Sequence, residues 1–274
     1  MAGEVQILLD CSDFQGEIPF EKLPPEIVGV ILKASDGARG RQKHFARNWK
    51  EAKAHGKLRG AYEWYQPRQS IDDQVKNHTD AVMEQGYEDT DFAPSSDFED
   101  SDNGAVTGDA LLGGFTDYHL AIEEAFGRPG QGIVYSGTWF WNLFVVDAQK
   151  KPLDSPILAS RPYWHSAYPS LGTAAYAYRE AAMKAAKLTQ IIAYPWQMRG
   201  LREAIHQFDG DGGLRLPNGV DTDVNIFHGS MEDLKNFIAR CSKVRATDPG
   251  TGEDDWRIGT QATIDALRAR IAQN

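Results

Sequence analysis

The chain has 274 residues, 41% of them hydrophobic, with no disorder-like or collagen-like bias, a composition that suits one large α/β domain or two small ones. A formal net charge of −10 weighs against nucleic acid and anionic membrane surfaces as general partners. Two cysteines, Cys11 in an apolar strand pattern and Cys241 in a late helical one, give no disulfide framework.

The opening residues Met1-Ala2-Gly3-Glu4-Val5 lack the basic and apolar regions of a secretory signal, and no later apolar run reaches the roughly 18 residues needed to span a bilayer. A leaderless chain without a membrane segment is therefore expected. Strand patterns at 6–12 and 28–35 are followed by a helical stretch at 45–55 that stops before Gly56. A strand at 59–65, a helix at 71–85 ending before Gly86, and a strand at 92–99 continue the alternation. The next helix, 108–126, carries Leu111, Leu112, Phe115, Tyr118, Ile122 and Phe126 at helical spacing, which marks a core face, and a fifth strand follows at 132–136. After Tyr135 the order changes. Strand-like runs at 163–168, 204–208 and 222–227 surround one long helical stretch, 174–187. Beyond Cys241, residues 242–260 read as a polar linker and 261–274 as a short amphipathic helix, leaving 1–241 as the catalytic-domain candidate. Alternating strands and helices make parallel βα units. About five such units plus a strand-rich closing section predict an irregular TIM-like α/β barrel.

Active sites of such barrels sit at the C-terminal ends of the strands. The residues expected there are Asp10, then Lys33 and Asp36, Tyr62 and Trp64, Asp97 and Glu99, Tyr135, Trp164 and Tyr168, Gln207, and Asp223. Several carboxylates converging with aromatic rings on one face repel one another, an arrangement more suited to chemistry than to support. Rings stack on sugar C–H faces while acids and amides bind hydroxyls, so a carbohydrate site fits this set. The run Asp97-Phe98-Glu99-Asp100 places two carboxylates at i and i+2 of a strand, on the same side. Alone, a D-x-E run is ordinarily a solvated strand end. In a cleft it supplies the two acids that glycosidic hydrolysis needs. The seven histidines show no H-x-x-x-H or H-E-x-x-H spacing, and Asp209-Gly210-Asp211-Gly212-Gly213 lacks the later Glu of a calcium loop, so no metal and no cofactor are expected. No G-x-S-x-G, P-loop or dinucleotide fingerprint occurs, and Cys11 reads as core.

An ordered set of motifs resembles glycoside hydrolase family 25, the Chalaropsis-type muramidases. Leu9-Asp10-Cys11-Ser12-Asp13-Phe14-Gln15-Gly16 is similar to that family's opening D-x-S-x-[WF]-Q-G, and Ile31-Leu32-Lys33-Ala34-Ser35-Asp36-Gly37 to its I-I-K-A-[ST]-[ED]-G. Phe45-Ala46-Arg47-Asn48-Trp49, Gly60-Ala61-Tyr62-Glu63-Trp64-Tyr65, Asp97-Phe98-Glu99-Asp100, Ile133-Val134-Tyr135-Ser136 and Asp223-Val224-Asn225-Ile226-Phe227 continue it in register, from about Ile7 to Phe237. The sequence departs from the pattern at His206-Gln207-Phe208, where the family has W-Q-Y, and this change is expected to alter a sugar-stacking surface. Residues between Tyr168 and Ala204 form a longer insertion than usual, either a cleft wall, a subunit contact or a structural helix. Ala93-Pro94-Ser95-Ser96 is more polar than the aliphatic run normally found before the acid pair.

The resemblance implies hydrolysis, with retention, of the β-1,4 bond between N-acetylmuramic acid and N-acetylglucosamine in peptidoglycan. It casts Glu99 as general acid and Asp97 as an ionised stabiliser of the substrate's acetamido group or, alternatively, as a nucleophile. Asp10 and Asp223 would complete the catalytic set; Lys33, Asp36, Tyr62, Trp64, Tyr135, Trp164, Tyr168 and Gln207 would bind substrate. The partner is then the peptidoglycan glycan strand, with a monomer as the simplest state and a phage lysin or virion-associated enzyme as the simplest setting. The competing reading is a barrel that binds glycan or builds an assembly without turnover.

Overall fold

The structure is a computed structural model that describes residues 4–169, 178–188, 193–201, 203–210 and 214–240. The expected linker and C-terminal helix, Cys241, and the first residues of the expected 174–187 helix lie outside the described residues.

Nine strands form one sheet: β1 (Val5–Cys11), β2 (Ile27–Asp36), β3 (Gly40–Arg41), β4 (Leu58–Trp64), β5 (Ser95–Asp97), β6 (Ile133–Gly137), β7 (Tyr163–Ser166), β8 (Ile205–Asp209) and β9 (Asp223–His228). The order β1-β9-β8-β7-β6-β5-β4-β2, closed by β1 pairing with β2, makes an eight-stranded barrel, and β3 is a two-residue hairpin partner of β2. Seven barrel strands run parallel. Only β9 runs the other way, antiparallel to both β8 and β1.

Around the barrel lie α1 (Phe45–Ala54), α2 (Ile71–Met83), α3 (Gly108–Ala125), α4 (Thr138–Phe144), α5 (Pro156–Ala159), α6 (Tyr178–Ala185) and α7 (Tyr194–Gln197), and α8 (Met231–Arg240) follows β9. The expected βα alternation holds from β2 to β6. The first crossover departs from it, passing from β1 to β2 through a single 3₁₀ turn at Phe20–Lys22. Helices α4, α5 and α7 carry no expectation from periodicity because each is no longer than about two turns, whereas α8 falls in the late helical pattern that leads to Cys241.

Alternation along the strands sorts side chains into two apolar layers. Leu8, Ile31, Phe92, Ile133, Trp164, Ile205 and Phe227 fill the barrel, closed below by Leu234 and Ile238 of α8. Leu9, Val30, Leu32, Val134, Val224 and Ile226 face outward onto the helices. In α6 the described residues Tyr178, Ala181, Ala182 and Ala185 are buried in that outer layer. Trp196 of α7 stacks on Tyr163 at 4.1 Å and 11°. The described part of the insertion therefore covers the outside of the barrel, as a structural helix does. Cys11 is buried with its thiol 3.5 Å from the Thr222 hydroxyl, the core position expected for it.

Candidate active site

The C-terminal ends of the parallel strands converge on a cavity of about 190 Å³ lined by Asp10, Tyr62, Trp64, Asp97, Glu99, Tyr135, Trp164, Tyr168, Gln207 and Asp223. Ten of the twelve expected site residues thus meet in one place. Lys33 and Asp36 do not line it. They pair with each other at 2.7 Å, and the Lys33 ammonium lies 4.8 Å from the Trp64 ring centre, so they buttress the rim from behind. Asp223 reaches the mouth through the direction of its strand. It opens β9 rather than closing it, and only the antiparallel course of β9 brings its first residue level with Asp10.

The acid pair follows from alternation about Phe98. Regular pairing in β5 covers only Ser95–Asp97, shorter than the expected 92–99; Pro94 has no N–H to donate, although the Phe92 N–H reaches the Arg59 carbonyl and the Ile133 N–H the Pro94 carbonyl, each at 2.9 Å. The extended course nonetheless continues past Asp97: the Phe98 N–H donates to the Tyr135 carbonyl at 2.8 Å, and the Ser136 hydroxyl donates to the Phe98 carbonyl at 2.8 Å. Phe98, fully buried, stacks on Phe115 of α3 with centroids 3.9 Å apart and meets Phe140 and Trp141 of α4 edge-on. With Phe98 facing the helices, its neighbours Asp97 and Glu99 both line the cavity.

Hydrogen bonds distinguish the three best-described carboxylates. Asp10 accepts from Gln207 Nε2 at 2.9 Å and Asn225 Nδ2 at 2.7 Å. The Gln207 carbonyl in turn accepts from Tyr135 and Tyr168 at 2.7 and 2.6 Å, and Trp164 Nε1 donates to Asn225 Oδ1 at 2.7 Å. This net fixes the amides so that both offer N–H to Asp10. Glu99 Oε1 accepts from the Ser166 hydroxyl at 3.0 Å, and the Gly137 backbone also donates to Glu99. Glycine at 137 leaves these groups in place: a Cβ would sit 2.8 Å from Ser166 Oγ and 2.5 Å from the Trp139 ring, so one of them would have to shift. Asp97, 5% exposed, has one oxygen, Oδ1, with no hydrogen-bond partner. Asp100 accepts from Trp64 Nε1 at 3.3 Å and so orients that ring.

Burial raises all three acids. Desolvation takes Asp10 to about 6 against the opposing hydrogen bonds from Asn225, Gln207 and Asp223. Glu99 rises to about 7, again through desolvation, with the Ser166 and Gly137 bonds pulling back and Asp10 adding repulsion. Asp97 rises well above the carboxylate range through desolvation and then the Glu99 charge, with Lys33 the opposing influence. The pair therefore keeps a proton near neutrality. The two acids differ in their donors: the Ser166 hydroxyl and the Gly137 backbone reach Glu99, while Asp97 Oδ1 has none.

Asn225, Ser166 and Asp100 join the site without being expected there from sequence. Two were within reach of the alternation rule, since Asn225 is two residues from Asp223 and Ser166 two from Trp164.

The sequence model of glycosyl hydrolases family 25 matches residues 9–192. The chain belongs to glycosyl hydrolases family 25. It is a glycoside hydrolase, and the match runs from the last residues of β1 through β7, including Asp97 and Glu99, while Gln207, Asp223 and Asn225 lie beyond the matched segment. Protein YegX of Escherichia coli strain K12 is 24% identical over 240 residues, covering 84% of this chain and 72% of YegX. The muramidase from Acremonium alcalophilum shares the fold with a TM-score of 0.64 at 19% identity, over 85% of this chain and 99% of that one. So does the catalytic domain of endolysin ply40 from bacteriophage P40 of Listeria monocytogenes, with a TM-score of 0.59 at 14% identity, over 86% and 98%. Against the family pattern, the replacement at His206 falls outside the cleft. Its ring is fully buried on the outer face of β8, bonded to the Ala167 carbonyl and 5.9 Å from the His165 ring centre, while Gln207 points inward. No sugar-stacking surface is altered by it. Among the described residues no helix is long and apolar enough to cross a membrane.

Proposed function

We propose that the chain is a peptidoglycan muramidase that cleaves the β-1,4 bond after N-acetylmuramic acid with retention, with Glu99 as general acid. The observation that carries this reading is the Asp97/Glu99 pair, proton-retaining and backed by the Asp10 net, in an aromatic-lined cleft at the mouth of a family 25 barrel. Asp97 Oδ1 is a buried acceptor without a donor. The substrate's 2-acetamido N–H would supply one, drawing negative charge onto Asp97 and leaving the shared proton on Glu99. Glu99 then protonates the leaving sugar's oxygen as the glycosidic C–O bond breaks, and the acetamido carbonyl oxygen bonds to the anomeric carbon. Water, deprotonated by Glu99, opens that ring with a second inversion, so configuration is retained overall. Asp10 and Asp223 hold hydroxyls and the charge balance. Tyr62, Trp64, Tyr135, Trp164, Tyr168 and Gln207 line the sugar subsites, with Lys33 and Asp36 behind them.

Purified peptidoglycan should yield new reducing ends, and reductive labelling with mass spectrometry should place N-acetylmuramic acid there. N-acetylglucosamine at the new end would make the enzyme a glucosaminidase. Binding of the polymer with no ends released across a pH series would favour the non-catalytic alternative, which no longer has the His206 change as support. The likeness to an endolysin catalytic domain supports a phage lysin or virion-associated role, acting as a monomer on the wall.

The pH dependence follows from the sign of the Glu99 shift. A general acid works while protonated and its partner while ionised, so kcat/KM on soluble glycan fragments is expected to fall as pH rises through about 7 and to fall again in acid once Asp97 is protonated as well. A rate unchanged up to pH 9 would remove Glu99 from the role.

A further inference from the structure

We propose that Glu203, His206 and His228 form a site for one divalent transition-metal ion of the zinc class, on the outer face of the barrel and separate from the cleft. One ligand atom from each of the three lies within 4.8 Å of the others. His206 sits on β8 and His228 closes β9, so the antiparallel course of β9 sets residues 22 positions apart in sequence on one wall; Glu203 precedes β8. His228 Nε2 is already 3.6 Å from Glu203 Oε1.

The independent observation is the state of His206. Its ring is 0% exposed, and its Nε2 lies 2.8 Å from the Ala167 carbonyl oxygen. A carbonyl only accepts, so Nε2 carries the hydrogen and Nδ1 presents a lone pair. That Nδ1 is buried with no hydrogen-bond partner. A ring whose far N–H is fixed by a backbone carbonyl, leaving the other nitrogen bare, is how proteins hold a metal-ligating histidine. Two imidazoles and one carboxylate suit zinc and its neighbours, whereas calcium and magnesium require oxygen sets. Four-coordinate zinc holds its ligand atoms about 3.4 Å apart, given bonds of roughly 2.1 Å. Closing from the present spacing takes a small rotation of His228, whose side chain is 39% exposed. Water completes the coordination. A bound ion would clamp β8 to β9 behind Gln207 and Asn225.

The test uses the full chain, stripped with chelator and then equilibrated with Zn²⁺. One zinc per chain should survive gel filtration, and zinc should raise the thermal midpoint. His228→Ala, at an exposed position, and Glu203→Gln should each keep the metal-free midpoint and weaken zinc binding by about 100-fold or more, beyond the roughly 10–100-fold that losing a supporting partner costs. No zinc retained by the wild-type chain would overturn the site. So would equal retention in His228→Ala, or retention lost in His165→Ala but kept in His228→Ala.

Discussion

Glu99→Gln is expected to lower kcat by about 10²–10⁴-fold, the usual contribution of a positioned general acid, with little change in KM. The amide keeps nearly the same shape and can still accept from Ser166, so substrate should bind as before. What it lacks is the proton. Stability should move the other way. A carboxyl whose folded pKa lies above its unfolded value weakens the fold as pH rises past the unfolded value toward the folded one, here from near 4.5 to about 7. Replacing Glu99 removes that penalty, so the variant's thermal midpoint at pH 7–8 should equal or exceed the wild type's. Initial rates of reducing-end release and thermal unfolding on the same preparation check both statements. A variant retaining more than a tenth of wild-type kcat would assign the acid to another group, with Asp97 the first to test.

Phe98→Ala is expected to destabilise the chain by about 3–5 kcal/mol, the range for emptying a fully buried aromatic site. Phe98 fills the space between β5 and helices α3 and α4, where it contacts Phe115, Phe140 and Trp141. Against a total stability of roughly 5–15 kcal/mol that is a large fraction. Phe98→Leu should cost distinctly less, because most of the volume is kept. Denaturant midpoints for the two variants give the comparison, and equal losses would mean that ring packing is not what matters. Activity should fall in Phe98→Ala even under conditions where it stays folded. Losing the ring removes the anchor between Asp97 and Glu99, leaving Glu99 to its Ser166 and Gly137 bonds.

Period-2 and period-3.6 patterns made the barrel legible because they report which face of each element is buried, and burial is what the barrel organises. The run containing Asp10, the Tyr62/Trp64 alternation and the D-F-E-D segment could be placed on the cleft from spacing alone. Strand direction could not. Asp223 begins its strand, and periodicity is the same read forwards or backwards, so its arrival at the mouth depended on β9 turning antiparallel. The strand expected at 92–99 pairs regularly only over Ser95–Asp97, because side-chain alternation reports which face is buried and not which backbone groups are bonded, and Pro94 has no N–H to offer. His206 shows the opposite limit. A replaced indole beside Gln207 suggested a lost sugar platform, yet one step along a strand is the other face of the sheet, and the side chain lies behind the wall.

The single reversed strand also sets a timetable. Asp10 belongs to the first strand made, but its two amide donors lie 197 and 215 residues further along the chain. At roughly 5–20 residues per second, a ribosome needs about 10–40 s to deliver the later of them. Throughout that interval β1 lacks its β9 neighbour, and its edge is open to mispairing. A chain cut before Asp223 would leave Asp10 without Asn225, and no cleft of the kind described would form. On the proposed roles, the cell making this hydrolase carries a nascent chain whose Asp10 net is incomplete until synthesis of the barrel is nearly over.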